Sequence, residues 1–129
     1  MKNMLWIGVL SGLAIITVPF AIDTIVTIHP VSTDTPVPNT MLLLLLAPFV
    51  ESYLIQGRVF SFARRYLPCG WAVTCTMCAF ITIHLAINVT IVFAAIVLTI
   101  IRSKTQSLGA VIIAHSVANA VVLAVATIR

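Results

Sequence analysis

LLLLLAPFVESYLIQG, Leu42 to Gly57, sets a carboxylate, Glu51, and a carboxamide, Gln56, in a stretch otherwise suited to hydrocarbon. A bilayer core takes about 20 predominantly apolar residues as a helix, so this run reads as a transmembrane helix with a charge inside it. Such a charge costs several kcal/mol unless it is paired or faces a cavity, and it marks a functional position by default. What Glu51 faces is therefore the question the rest of the chain has to answer.

Outward from this stretch the composition agrees. The chain has 129 residues, 61% of them hydrophobic and 8% charged, with a mean hydropathy of +1.19, more apolar surface than a soluble domain of this length can hide from water. The predicted fold class is all-α: a polytopic transmembrane bundle of four to five spans forming a single domain over residues 1–129. Apolar runs place the spans near Met4–Ile28, Met41–Gly57, Cys69–Ile87, Val89–Ile101 and Leu108–Ile128. The fourth is short for a span and is expected to be tilted or re-entrant. His29–Thr40, rich in Pro and Thr, reads as an exposed loop, so residues 1–40 contribute a first span and a loop. No good small-x-small cleavage site follows the first apolar run, which is read as a retained span.

The net charge of +4 comes from basic residues scattered over short breaks between apolar runs, which excludes a nucleic-acid footprint. With the N-terminus cytoplasmic, Lys2, Arg58, Arg64, Arg65, Arg102 and Lys104 fall inside, and the proline-rich loop and Arg129 outside, as the positive-inside rule requires. Arg58–Leu67 alternates basic and aromatic residues and suits a helix lying in the headgroup layer as an anchor. Cys69, Cys75 and Cys78 are odd in number and sit in one apolar run, so a disulfide framework is excluded. Cys75-x-x-Cys78 lacks the strand-turn setting of a redox motif and reads as apolar filler.

Within the apolar runs, Asp23, Glu51, His84 and His115 are ionisable, and Asn88 and Asn119 are amides nearby. Asp23 lies near the outer end of its span, where a structural role fits. His115 and Asn119 are four apart and share a helix face, as do Phe80 and His84. Cys75 and Cys78 turn away from the face of His84, which disfavours a joint Cys/His metal site. At 1.5 Å per residue, Glu51 and His115 would lie about 10 Å from the inner boundary and His84 about 20 Å, an offset in depth that the span boundaries leave open.

Taken in order, Ala47-Pro-Phe-Val-Glu51-Ser52-x-x-x-Gln56-Gly57, Phe80-x-x-x-His84 and Ala114-His115-x-x-x-Asn119 resemble the three motifs of the CPBP family, the CAAX-processing and bacteriocin-processing (Abi) intramembrane proteases. The family pattern is E-E-x-x-x-R, F-x-x-x-H and H-x-x-x-N, and the resemblance covers Ala47–Ala120. It implies a glutamate-type endopeptidase inside the cell membrane of a bacterium or archaeon, with no cofactor. Carried over by position, Glu51 and His84 activate water while His115 and Asn119 bind and polarise the scissile carbonyl. Phe80, Ser52 and Gln56 take supporting positions. A carboxylate in low dielectric is a stronger base than in water, and donors facing a developing oxyanion gain strength there. The implied partner is a membrane-associated peptide or protein: a prenylated CaaX tail, a bacteriocin leader or a C-terminal sorting helix.

Ser52 and Gln56 depart from the pattern together. Losing both members of an i,i+4 ion pair leaves no uncompensated charge, and the two side chains are expected to hydrogen-bond instead. Two other readings use the same residues. Glu51, His84 and His115 form a zinc-ligand set, and an inactive descendant could act in bacteriocin immunity or as a membrane scaffold.

Overall fold

The computed structural model describes Trp6, Ile7, Val9 and Leu10, residues 42–84 and residues 88–128. Most of the predicted first span, Asp23 and the loop His29–Thr40 lie outside the described residues. Among the described residues the secondary structure is entirely helical, with no strand, as the composition predicts. None of these helices is long and apolar enough to cross a membrane.

The leucine run opens α1, which continues without a break over residues 42–66. Its turns at Ala47–Glu51 and Phe60–Tyr66 are α-helical, and the stretches Leu42–Leu46 and Ser52–Val59 are wound in the wider π geometry. Leu46, Glu51, Ser52, Val59 and Phe60, at the junctions, all keep right-handed helical dihedrals. The expected end at Gly57 is therefore corrected: Arg58–Tyr66 continues the same helix. Gly57 does not interrupt it because its φ is not positive, and Leu108 packs 3.4 Å from where a Cβ would stand. Beyond it, Phe60 and Ala63 bury against Ala72, so this part of α1 has its own packing partner.

Pro68 ends the helix by sterics. The residue before a proline is pushed out of the helical region, and Leu67 is extended, with φ −124° and ψ 149°. α2 (Cys69–Ile83) follows. α3 (Val89–Thr105) begins where the Asn88 side chain accepts the Ile91 amide at 2.8 Å, an N-cap. It ends at Gln106, which adopts the left-handed conformation with φ 54°, the usual stop after a last helical turn. The fourth predicted segment is thus one continuous 17-residue helix, four residues longer than expected at its C-terminal end, and Asn88 is spent on capping it. α4 (Leu108–Ile128) matches the predicted final segment.

The helices run alternately, α1 packing on α2, α2 on α3, α3 on α4, and α4 back on α1. Ala110, Ala114 and Ala118, four apart on α4, are buried with Val111 against Ala95, Leu98, Ile101, Ile55 and Phe80. Small residues at this spacing let helix backbones approach closely. The polar side chains Ser52, Gln56, Thr76, Thr99 and His115 are buried, while Leu45, Leu46, Phe49, Val50, Leu54, Trp71 and Ile83 lie outside. Apolar side chains thus occupy both the interior and much of the outer surface, with these polar groups held between the helices.

The offset in depth disappears once α1 is continuous. Glu51 lies fifteen residues before Tyr66, and His84 fifteen after Cys69, on opposite arms of the hairpin turning at Leu67–Pro68. At an α-helical rise each arm is about 22 Å long from the turn, slightly less where α1 is π-wound, and the two side chains arrive close to level. Leu108 against Gly57 sets the third register. His115 is seven residues above Leu108 and Glu51 six above Gly57, rises of about 10 and 9 Å.

Candidate active site

Three helices deliver one carboxylate and two imidazoles to a common point. Glu51 stands at the junction where α1 passes from α to π winding, an irregularity common at functional sites. Its Oε2 lies 3.6 Å from His84 Nε2 and 3.7 Å from His115 Nε2, beyond hydrogen-bond length but within reach of a strong electrostatic interaction. The Glu51 side chain is 32% exposed and that of His115 only 7%. One side of the group is thus open while the other is packed.

The end of α2 aims His84. Its backbone amide turns back to Ile81 O at 3.3 Å, which leaves Phe80 O without its regular helical amide donor. The ring takes that place, with Nδ1 2.8 Å from Phe80 O. A carbonyl oxygen only accepts, so Nδ1 carries hydrogen, and the Nε2 of a neutral ring presents its lone pair to Glu51. A hydrogen must then lie between the two acceptors, supplied by a protonated ring or by a molecule that donates to both.

His115 is held differently. Ser52 Oγ is 3.2 Å from its Nδ1 in a buried contact. With the hydroxyl donating, Nε2 carries hydrogen toward the Glu51 carboxylate. Phe80 packs against both imidazoles, its ring 4.5 Å from that of His84 and 5.7 Å from that of His115, and it is itself 1% exposed. One buried phenyl ring thereby limits the orientation of both histidines. Asn119 lies one turn beyond His115 on α4 and is half-buried.

Ser52 and Gln56 hydrogen-bond in place of the ion pair, each to its own partner. Both are fully buried, but they meet different helices: Ser52 turns to His115 on α4, and Gln56 Nε2 donates to Thr99 Oγ1 on α3 at 2.9 Å. Arg102 Nε donates to the Gln56 backbone oxygen at 2.9 Å, with its guanidinium 5.4 Å over the Phe60 ring. Desolvation by burial pulls this guanidinium below its ordinary value, yet an arginine stays charged. Buried Gln56 Oε1 and Arg102 Nη1 have no hydrogen-bond partner, an orphan acceptor and an orphan donor on two residues already in contact. Thr99 is absent from the sequence reading, and Arg102 enters it only as a topology charge. Nothing in an apolar run marks which threonine will meet a glutamine on another helix.

Among the described residues no group of three or more His, Cys, Asp or Glu side chains is arranged to hold a metal ion. Cys69, Cys75 and Cys78 are free and exposed, on the outer surface rather than filling the interior.

The family model described as Type II CAAX prenyl endopeptidase Rce1-like matches residues 33–121. That interval contains Glu51, His84, His115 and Asn119. No curated protein and no solved structure matches the chain.

Proposed function

The chain belongs to the Rce1-like family of type II CAAX prenyl endopeptidases, and on that premise we propose that it is a glutamate-type intramembrane endopeptidase whose reaction centre is Glu51, His84, His115 and Asn119. The observation that carries this reading is the convergence of His84 Nε2 and His115 Nε2 on Glu51 Oε2 from three helices. The apolar outer surface and buried polar side chains support a bundle solvated by lipid.

The hydrogen bonding suggests the chemistry. A water donating one hydrogen to His84 Nε2 and the other to Glu51 Oε2 satisfies both acceptors and leaves its oxygen lone pairs free to attack. As the new C–O bond forms, Glu51 takes a water proton as general base. The carbonyl oxygen, now negative, accepts from the Nε2–H of His115, which protonation of Glu51 releases, and from the amide of Asn119. The C–N bond then breaks, and the proton held by Glu51 passes to the leaving amine. The substrate is a membrane-associated peptide or protein that presents an extended backbone to this centre.

Glu51→Gln keeps the shape and removes the base. Cleavage of a prenylated peptide ending in three residues beyond its modified cysteine is expected to fall by about 10²–10⁴-fold, with unchanged protein yield and thermal unfolding. Cleavage surviving in both Glu51→Gln and His84→Ala protein sinks the assignment. Full activity in the wild-type protein after exhaustive chelation separates this chemistry from the zinc reading. The departure E-S-x-x-x-Q supports one competing reading, an inactive member acting in immunity or as a scaffold. A biological phenotype that persists in Glu51→Gln cells at normal protein level decides for it.

A further inference from the structure

We propose that the apolar groove between the end of α1 and the start of α2 seats an acyl chain of an anionic phospholipid, with the headgroup held by Arg64 and Arg65. The inference rests on the membrane reading above but not on the peptidase activity. The groove is open on one side, has a volume of about 480 Å³ and is lined by Val59, Phe62, Ala63, Tyr66, Leu67 and Cys75. No lining side chain carries a charge, so its occupant is a hydrocarbon segment.

Two features specify the rest of the occupant. The first is charge. Every acidic residue of the chain lies at or before Glu51, and the 78 residues from Ser52 to Arg129 contain none. Arg58, Arg64, Arg65, Arg102 and Lys104 all belong to the lower parts of the helices that turn at Leu67–Pro68 and Gln106–Ser107. Glu51 is the one acidic residue among the described residues, so this end of the described bundle is cationic. Arg64 is tied to the mouth of the groove, where its Nη1 donates to Leu67 O at 3.4 Å. Arg65 follows it in the same exposed last turn.

The second feature is the aromatic collar. Phe62 and Tyr66 pair at 5.1 Å between ring centroids, and with Trp71 they are each about two-thirds exposed. Large aromatic rings beside arginines are the residues found at headgroup level. An apolar slot below such a collar and a guanidinium pair above it fit a lipid with one negative headgroup. A zwitterionic lipid would bring an ammonium group against the arginines.

Trp71 reports on the groove because it lies one turn before Cys75 on α2, and Trp6 is the other tryptophan of the chain. The test uses full-length Trp6→Phe protein in vesicles carrying brominated-chain phosphatidylglycerol or phosphatidylcholine. Stronger quenching of Trp71 by the anionic lipid is expected. Its apparent preference should fall about fivefold for each of Arg64→Gln and Arg65→Gln. Cys75→Phe, which fills the slot from an exposed position, should abolish the preference with both arginines present. Equal quenching by the two lipids overturns the proposal, as does displacement by a prenylated peptide but not by phosphatidylglycerol, which would make the slot a substrate site. Protein that fails to sediment with either vesicle overturns this proposal and the membrane reading together. Preferential quenching with no peptide cleavage upholds the lipid site and sinks only the peptidase.

Discussion

Ser52 shows how a departure from a family pattern is accommodated. A glutamate there would be a second carboxylate beside Glu51, whereas the serine is uncharged and its hydroxyl reaches His115 Nδ1. If that bond sets the tautomer of His115, Ser52→Ala should lower kcat about fivefold, the kinetic equivalent of one hydrogen bond of about 1 kcal/mol. Ser52→Thr should restore it where a packing defect would not. The other departure, Gln56, is anchored by Thr99. Thr99→Val leaves a buried carboxamide without this partner and is expected to cost about 1–3 kcal/mol in a reversible unfolding measurement. Adding Gln56→Leu should recover much of the loss, because two apolar groups replace a bonded pair. A double variant less stable than either single one would show that the pair does more than satisfy itself.

At the scale of the element, α4 joins two tasks on adjacent faces. Ala110, Ala114 and Ala118 form the packed stripe, and His115, beside Ala114, faces Glu51. The distance from His115 to Glu51 therefore depends on how closely α4 lies against its neighbours. Ala114→Leu inserts three carbons where the alanine is fully buried and is expected to destabilise the protein by about 1–3 kcal/mol. Activity should fall further than stability alone explains, since a displacement near 1 Å at the centre is costly to catalysis. Comparing residual cleavage with the folded fraction at one temperature measures both. The π winding of Ser52–Val59 belongs to the same scale: it turns Ser52 and Gln56 inward toward different helices, which a heptad or 3.6-residue pattern does not foretell.

For the whole molecule, the two turns at Leu67–Pro68 and Gln106–Ser107 gather the described basic residues at one end, and the proposed orientation puts that end in the cytoplasm. Reporter fusions at Lys104 and Asn39 should then give opposite signals, cytoplasmic at Lys104 and external at Asn39. Matching signals would remove an odd number of crossings between those sites and with it the proposed topology. The same arrangement sets the depth of the proposed reaction centre, about 22 Å along α1 and α2 from the Leu67–Pro68 turn.

The all-helical class, the family and the set Glu51, His84 and His115 were legible in the sequence, whereas the partners of Ser52, Gln56 and Arg102 were not. What was legible depends on local chemistry: hydropathy over a window, a charge where charge is costly, and i,i+4 pairs on one helix face. His84 and Phe80, or His115 and Asn119, could be paired by counting. The register between helices could not, because the true end of α1 depends on Phe60 and Ala63 finding Ala72, and on Leu108 finding Gly57. Those contacts join residues 9 to 51 positions apart, outside any periodic pattern. They are what bring Glu51, His84 and His115 level, and what give Ser52 and Gln56 separate partners, since a side chain's distant neighbour is selected by packing rather than by its own flanking residues.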